Sequence, residues 1–234
     1  MRVQGTGDRG QGSGGLVFPS LIVSCQARGD NPLQGSQFMA AMAQAAEQGG
    51  ARGIRANGAE DVRAIRAVTT LPIIGIHKHW IEGYEVYITP DFAAAKQVAE
   101  AGADVIALDA TARPRPRESL AELIGLIQSE LGKRVCADIS TLKEGLAAAE
   151  IGADFVATTL AGYTPYSPKT QGPDFDLIKQ LANLVAVPIV AEGRFWSPEE
   201  VSRAFELGAS AVVIGTAITN PLEITRRFAQ GVPT

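Results

Sequence analysis

The chain has 234 residues, 46% hydrophobic and 20% charged, with 25 acidic against 21 basic side chains for a formal net charge of −4. That length suits one β/α barrel with a single sizeable core, and the acidic balance argues against a general nucleic-acid or anionic-membrane binder. The two cysteines, Cys25 and Cys136, fall in separate predicted strands without metal-type spacing, which suits a reduced cytoplasmic protein.

Residues 1–20 are glycine-rich with scattered charge and lack the apolar centre of a signal peptide, so the expectation is a flexible tail ahead of a catalytic domain spanning 21–234. No P-loop Lys-Ser/Thr pair follows those glycines. No later apolar run approaches bilayer length. Short apolar runs predict eight strands, at Leu21–Gln26, Gly53–Arg55, Ile73–Lys78, Val105–Asp109, Val135–Asp138, Phe155–Thr158, Ile189–Ala191 and Ala211–Ile214. Between them run amphipathic helices. Leu120, Leu123, Ile124, Ile127 and Leu131 make one helical stripe, and Leu177, Ile178 and Leu181 another.

Three segments repeat one device: Glu100-Ala-Gly-Ala-Asp-Val-Ile-Ala-Leu-Asp109, Glu150-Ile-Gly-Ala-Asp-Phe-Val-Ala-Thr-Thr159 and Glu206-Leu-Gly-Ala-Ser-Ala-Val-Val-Ile-Gly215. Each ends a helix on glycine and enters a strand apolar enough to be covered on both faces. They recur about every fifty residues, the length of two βα units. Strand and helix alternate throughout, which predicts a single-domain (β/α)8 TIM barrel.

Chemistry in that fold occurs where strands end, and polar residues gather there: Gln26, Arg55, Lys78, Asp109, Asp138, Thr158, Thr159, Glu192 and Arg194. Such groups are costly to bury unless they face one another or a polar ligand. Lys78 follows Ile74 and Ile76 at two-residue spacing, so it points into the mouth if they fill the interior. Burial and a cationic neighbour such as Arg55 favour its neutral amine, a candidate base. A surface lysine at a loop edge is the plain alternative. Glu192 falls on the strand opposite, and its plain role is a salt bridge to Arg194 or Arg55. Asp138 either orients Lys78, binds a sugar hydroxyl, or caps the helix near Ser140-Thr141.

Gly193-Arg194 and Gly215-Thr216 form two glycine turns after strands seven and eight, where many barrels bind a phosphate on backbone amides. His77 and His79 flank Lys78, but no third ligand is suitably spaced, so no metal is expected. Arg113-Pro-Arg-Pro-Arg117 reads as a solvated connector stiffened by proline, placed where it could gate the mouth.

Ile22-Val-Ser-Cys-Gln-Ala27, Gly53-Ile-Arg55, Pro72-Ile-Ile-Gly-Ile-His-Lys78, Val86-Tyr-Ile-Thr-Pro90, Ala107-Leu-Asp-Ala-Thr111, Ala137-Asp-Ile-Ser-Thr141, Gly162-Tyr-Thr-Pro165 and Ala191-Glu-Gly-Arg194 together resemble the N-acetylmannosamine-6-phosphate 2-epimerases. The resemblance runs from Leu21 to the C-terminus. It implies interconversion of N-acetylmannosamine 6-phosphate and N-acetylglucosamine 6-phosphate without a cofactor, through an enediolate-like intermediate. By motif, Lys78 matches the base and Glu192 its acid partner. Gln26, Arg55 and Asp138 match sugar-binding positions, Arg194 is expected to bind substrate beside them, and Gly193, Gly215 and Thr216 match the phosphate turns. A homodimer is also implied, perhaps with the last helix reaching the partner. One departure stands out: Ile218-Thr-Asn-Pro221 replaces the common Ile-Thr-Arg-Pro and removes an arginine contact to phosphate. Two rivals remain open at this stage, a lyase forming a Schiff base on Lys78 and an inactive sugar-phosphate-binding barrel.

Overall fold

A computed structural model of the protein describes residues 16, 18–27 and 29–233. Eight strands alternate with helices: β1 Ser20–Cys25, α1 Ser36–Gln48, β2 Gly53–Asn57, α2 Ala59–Arg66, β3 Ile73–Ile76, α3 Phe92–Glu100, β4 Val105–Asp109, α4 Leu120–Leu131, β5 Arg134–Asp138, α5 Leu142–Glu150, β6 Phe155–Ala157, α6 Phe175–Leu184, β7 Ile189–Glu192, α7 Pro198–Glu206 and β8 Ala211–Ile214. The chain then adds a one-turn helix, α8 (Thr216–Thr219), and α9 (Pro221–Ala229). Sequential strands pair in parallel and β8 pairs back to β1, closing the barrel. No helix among the described residues is long and apolar enough to cross a membrane.

Because successive strand residues face opposite sides, the closed sheet sorts its apolar residues into two cores. Ile22, Ile74, Ile76, Val105, Ala107, Cys136, Phe155, Val190 and Val213 fill the interior. Val23, Ile54, Ile73, Ile106, Leu108, Val135 and Ala137 face outward, against the apolar stripes of helices through Met39, Val62, Leu123, Ile127 and Leu181.

The repeated device works as its glycine suggests. Gly102, Gly152 and Gly208 have φ of 111°, 96° and 100°, a region that favours residues without a Cβ. Behind them Ala103, Ala153 and Ala209 donate backbone hydrogens to Val98, Ala148 and Ala204 at 3.1, 3.0 and 3.0 Å, closing the last helical turn as a Schellman motif. The next residue ties the turn to the preceding strand. Asp104 and Asp154 accept from the backbone N–H of Ile73 and Val135 through Oδ2, each at 2.8 Å, so the aspartates set strand register as well as polarity.

Two boundaries differ from expectation. Leu16 is buried in the interior core, Phe18 meets Phe155 edge-on at 5.9 Å, and Ser20 pairs with Ala211, so the barrel begins before Leu21. The open bottom of the barrel requires apolar closure, and Leu16 supplies part of it. The rest of the expected tail, residues 1–15 and 17, lies outside the described residues. At the other boundary β3 stops at Ile76, not Lys78, because the chain leaves β4 and folds back on itself. Lys78 bridges antiparallel to Ile88, and His79 donates to the Tyr87 carbonyl at 2.8 Å.

Gly75 permits close approach of β3 to α3 and the start of β4, since a Cβ there would stand 2.6 Å from the Cβ of Ala103. Gly75→Ala is expected to lower stability by about 1–3 kcal/mol through overpacking. Urea unfolding should show a reduced midpoint with an unchanged slope.

Candidate active site

The alternation that puts Ile74 and Ile76 inside the barrel continues past the strand ends. Stepping by two from interior residues leads from Ile22 to Ser24 and Gln26, from Gly53 to Arg55 and Asn57, and from Ile76 to Lys78. It also leads from Ala107 to Asp109, from Cys136 to Asp138, from Ala157 to Thr159, from Val190 to Glu192 and from Val213 to Gly215. The closed ring therefore points these residues into one mouth.

At its centre lies Arg55, whose side chain is only 1% exposed. Its Nη1 and Nη2 donate to Asp138 Oδ1 and Oδ2 at 3.1 and 2.5 Å, a two-pronged pairing that satisfies a fully buried carboxylate. Nη1 also lies 3.1 Å from Glu192 Oε2, whose side chain keeps 16% exposure. Burial opposes the arginine charge, but Asp138 and then Glu192 outweigh it and hold the guanidinium pKa above its ordinary value. Glu192 answers in the other direction. Burial pushes its carboxyl up, Arg55 pulls it down and Asp138 pushes it up again, leaving it above the ordinary glutamate value. A raised carboxyl at a barrel mouth is a candidate proton donor.

Lys78 is set by contacts on both sides of its backbone. Its N–H donates to Asn57 Oδ1 at 2.8 Å, and its Nζ donates to Gln26 Oε1 at 2.7 Å, while Gln26 Nε2 in turn donates to Ser24 Oγ at 2.9 Å. Thr89 fixes the residue before it. The Thr89 hydroxyl donates to the Ala107 carbonyl at 2.6 Å and accepts from the His77 N–H at 3.1 Å. Thr89 has φ of 46°, an unfavourable region for a β-branched residue. Strain of this kind collects where the surroundings over-determine a geometry. In the closed strand order β3 and β7 stand four places apart, so Lys78 and Glu192 arise from opposite sides.

The two glycine turns flank this centre. Gly193 has φ of 118°, and Gly215 precedes α8 with its Cα against Ser24, where a Cβ would stand 3.3 Å from the Ser24 Cβ. Thr216 opens α8 and is exposed. Arg194 turns away to the loop after β6. Its Nε, Nη1 and Nη2 donate to the Gly172 carbonyl, the Ala161 carbonyl and Thr170 Oγ1 at 2.9, 2.8 and 2.8 Å, and it lies 5.3 Å from the Tyr163 ring. Asn220 has a structural place: its Oδ1 accepts from the Glu223 N–H and from Asn31 Nδ2, each at 3.3 Å, and so caps α9.

Gln26, Arg55, Lys78, Asp138 and Glu192 are thus brought together, while Arg194 staples a neighbouring loop. Of the plain alternatives, Glu192 pairs with Arg55 and not Arg194, and the cap of α5 is Thr141 with Glu144, not Asp138. The basic loop after β4 is the clearest departure. Two of its arginines fold onto the barrel while Arg117 stays exposed: Arg113 donates to Asp109 Oδ2 at 2.5 Å, and Arg115 donates to the carbonyls of Asp109, Thr89 and Pro90. The inward carboxylate of Asp109 had to find a cation, and this loop supplies one. His77 and His79 sit with ring centres 6.0 Å apart, and no three ligand-type side chains converge among the described residues. The sequence placed Thr159 at the mouth without a role and did not single out Asn57, which lies two residues beyond the inward Arg55. Thr89 stood only within the Val86-Tyr-Ile-Thr-Pro90 motif, since its partner Ala107 is distant in sequence.

Comparison with known proteins bears on this arrangement. The family described as "Putative N-acetylmannosamine-6-phosphate epimerase" matches residues 39–234. A protein of Caldanaerobacter subterraneus subsp. tengcongensis named "Putative N-acetylmannosamine-6-phosphate 2-epimerase" is 53% identical over 210 residues, covering 89% of each chain. One of the same name from Thermosynechococcus vestitus is 51% identical over 199 residues, covering 85% of this chain and 87% of its own. The structure of the N-acetylmannosamine-6-phosphate 2-epimerase from Clostridium perfringens superimposes with a TM-score of 0.92 at 44% identity, across 97% of this chain and all 100% of that one. A thiamine phosphate pyrophosphorylase from Pyrococcus furiosus, at 17% identity and a TM-score of 0.59 over 88% of this chain and 90% of its own, shares the fold alone.

Removing Arg113 leaves Asp109, a fully buried carboxylate already pushed up by burial, without its ion pair. Arg113→Ala is expected to cost about 3–5 kcal/mol at neutral pH. A carboxyl whose folded pKa is raised contributes its stability below the unfolded value and loses it as pH rises through the folded value. The deficit should therefore shrink as pH falls toward the ordinary 3.8. Urea unfolding across pH, variant against parent, checks both the size and the sign.

Proposed function

The chain belongs to the N-acetylmannosamine-6-phosphate epimerase family, and from that premise we propose that it interconverts N-acetylmannosamine 6-phosphate and N-acetylglucosamine 6-phosphate by removing and returning the proton on carbon two. It is an isomerase, and its substrate is a small amino-sugar phosphate. Carbon two of the open-chain sugar lies beside the aldehyde, so losing its proton spreads charge onto the carbonyl oxygen. A cation held in a dry site stabilises that charge far better than water does.

In this reading Lys78, as the neutral amine, takes the proton from one face, and Glu192 returns one to the other. The observation that carries it is an inward lysine just past β3 facing a raised carboxyl on opposite β7, the lysine held by Gln26 and the carboxyl by the buried Arg55. Charge supports it too. Neutral Lys78 with protonated Glu192 has the same net charge as the ammonium and carboxylate that remain after turnover, so each state is ready for one direction of a reversible reaction. Exchanging one for the other leaves the total charge of the buried site unchanged, which limits the desolvation cost. Gln26, Arg55 and Asp138 hold and polarise the sugar, with Arg194 shaping the loop above it. Gly193, Gly215 and Thr216 receive the phosphate on their backbone amides. No cofactor enters this mechanism.

The proposal extends to a cytoplasmic homodimer. Free, buried Cys25 and Cys136 suit a reducing compartment. Helix α9 buries none of its residues and leaves Phe228 exposed, and the preceding α8 contributes Ile218 to an apolar groove of about 240 Å³ lined also by Leu21, Met42 and Ala46. The equivalent helix of a second copy would cover such a groove.

In deuterated water the purified protein should convert either sugar phosphate into the other with deuterium at carbon two. Lys78→Ala should lower turnover by about 10²–10⁴-fold while keeping the native circular dichroism. Absence of both conversion and exchange would end the epimerase proposal, and borohydride trapping of substrate on Lys78 would replace it with Schiff-base chemistry. Deleting residues 221–234 should convert a dimer to a monomer in sedimentation.

A further inference from the structure

At the mouth an extra piece of backbone stands between β3 and β4. The two strands pair directly at Ile74 with Val105 and at Gly75 with Ile106, and past that point residues 87–89 bond to both sides. Toward β3, Lys78 bridges antiparallel to Ile88, His79 donates to the Tyr87 carbonyl and Thr89 donates to the His77 carbonyl, both at 2.8 Å. Toward β4, the Asp109 N–H donates to the Ile88 carbonyl at 2.9 Å, and the Thr89 hydroxyl to the Ala107 carbonyl at 2.6 Å. The segment is therefore a short strand let into the barrel wall. Ile88 is buried in the interior core, and residues paired across antiparallel strands share a face, so Lys78 is turned into the mouth beside it. Because β3 itself ends at Ile76, the inserted segment carries the inward direction two residues further.

We propose that Arg115 is a positioning residue for Lys78, acting through this inserted strand. It reaches back from the loop after β4. Its Nη2 donates to the carbonyls of Thr89 and Pro90, each at 3.2 Å, and its Nη1 donates to the Asp109 carbonyl. One planar guanidinium thus ties the far end of the segment to the far end of β4, with a rigid spacing that a flexible ammonium would not impose. Desolvating an arginine is costly. What it accomplishes here is to fix three carbonyls of the wall relative to one another. The same contacts hold Thr89 in its strained conformation, with φ of 46°. If the clamp opens, the segment is free to move outward, and Lys78 loses the neighbour that keeps its backbone in register. The inference rests on the epimerase reading, in which Lys78 is the base, and deepens it by saying what holds that base inside the ring. A displacement of about 1 Å at a reacting group costs on the order of 10²-fold in rate.

The test pairs kinetics with amide hydrogen exchange on the full chain. Arg115→Ala should lower kcat by about 10–100-fold while KM stays within about threefold, because the base is misplaced and the groups that hold the sugar are not. In the same variant the His79, Thr89 and Asp109 amides should exchange about tenfold faster, the loss of roughly one hydrogen bond's worth of protection. The Val156 and Thr158 amides, which donate to the Pro188 and Val190 carbonyls across the barrel, should keep the parent rates. Arg115→Gln, whose amide reaches one carbonyl in place of three, makes the same comparison with a smaller effect should alanine not fold. An unchanged kcat in a folded variant overturns the proposal. So does exchange raised equally on both sides of the barrel, which would mark a purely structural arginine. The exchange measurement needs no turnover. A parent protein that leaves the carbon-two proton in place, yet shows the segment loosened by the substitution, would defeat the epimerase reading and leave the clamp standing.

Discussion

The structure depends on a positive charge sealed inside a ring of strands. Arg55 is almost wholly buried, and a guanidinium there is tolerable only because Asp138 takes it on two prongs and Glu192 meets it on a third contact. These residues come from β2, β5 and β7, so the electrostatic requirement ties distant parts of the sheet together across the mouth. One arginine serving two carboxylates leaves a surplus negative charge when all are ionised. Lys78 on the remaining side, or a proton on Glu192, removes that surplus, and chemistry that moves a proton between them leaves the balance intact.

Around this centre the barrel supplies direction more than contacts. The two-residue period of each strand sends every second side chain inward, and the closed ring aims those from opposite strands at one another. The glycine device repeated before β4, β6 and β8 gives each of those strands the same abrupt entry, with Asp104 and Asp154 locking the first two to the preceding strand. Precision is added at the rim. The strained backbone of Thr89 and the Asn57 amide hold Lys78 at its place, and the Arg194 guanidinium pins the loop after β6 beside Glu192.

The loop after β4 shows how composition misleads. Three arginines alternating with two prolines look like a solvated, stiff connector, yet two of them turn back to pair with Asp109 and cap loop carbonyls. The reason is a demand made elsewhere: Asp109 continues the inward register of β4 and would be an unpaired buried charge without Arg113. Asn220, which stands where the resembling motif has an arginine, uses its side chain to cap the helix that follows.

What the chain alone determined was everything local or periodic. Strand and helix alternation, the helix stops at Gly102, Gly152 and Gly208, and the inward step from Ile74 and Ile76 to Lys78 follow from backbone sterics and the two periods of secondary structure, which act between neighbours. Only the tertiary structure decided which charges meet. Nothing in the order of residues says that Asp138 claims both prongs of Arg55, that Glu192 takes Arg55 and not nearby Arg194, that Thr159 lies between two carboxylates, or that Leu16 closes the barrel floor. Those pairings are made across the ring between groups far apart in the chain, where distance in space sets the energy and distance in sequence carries no information.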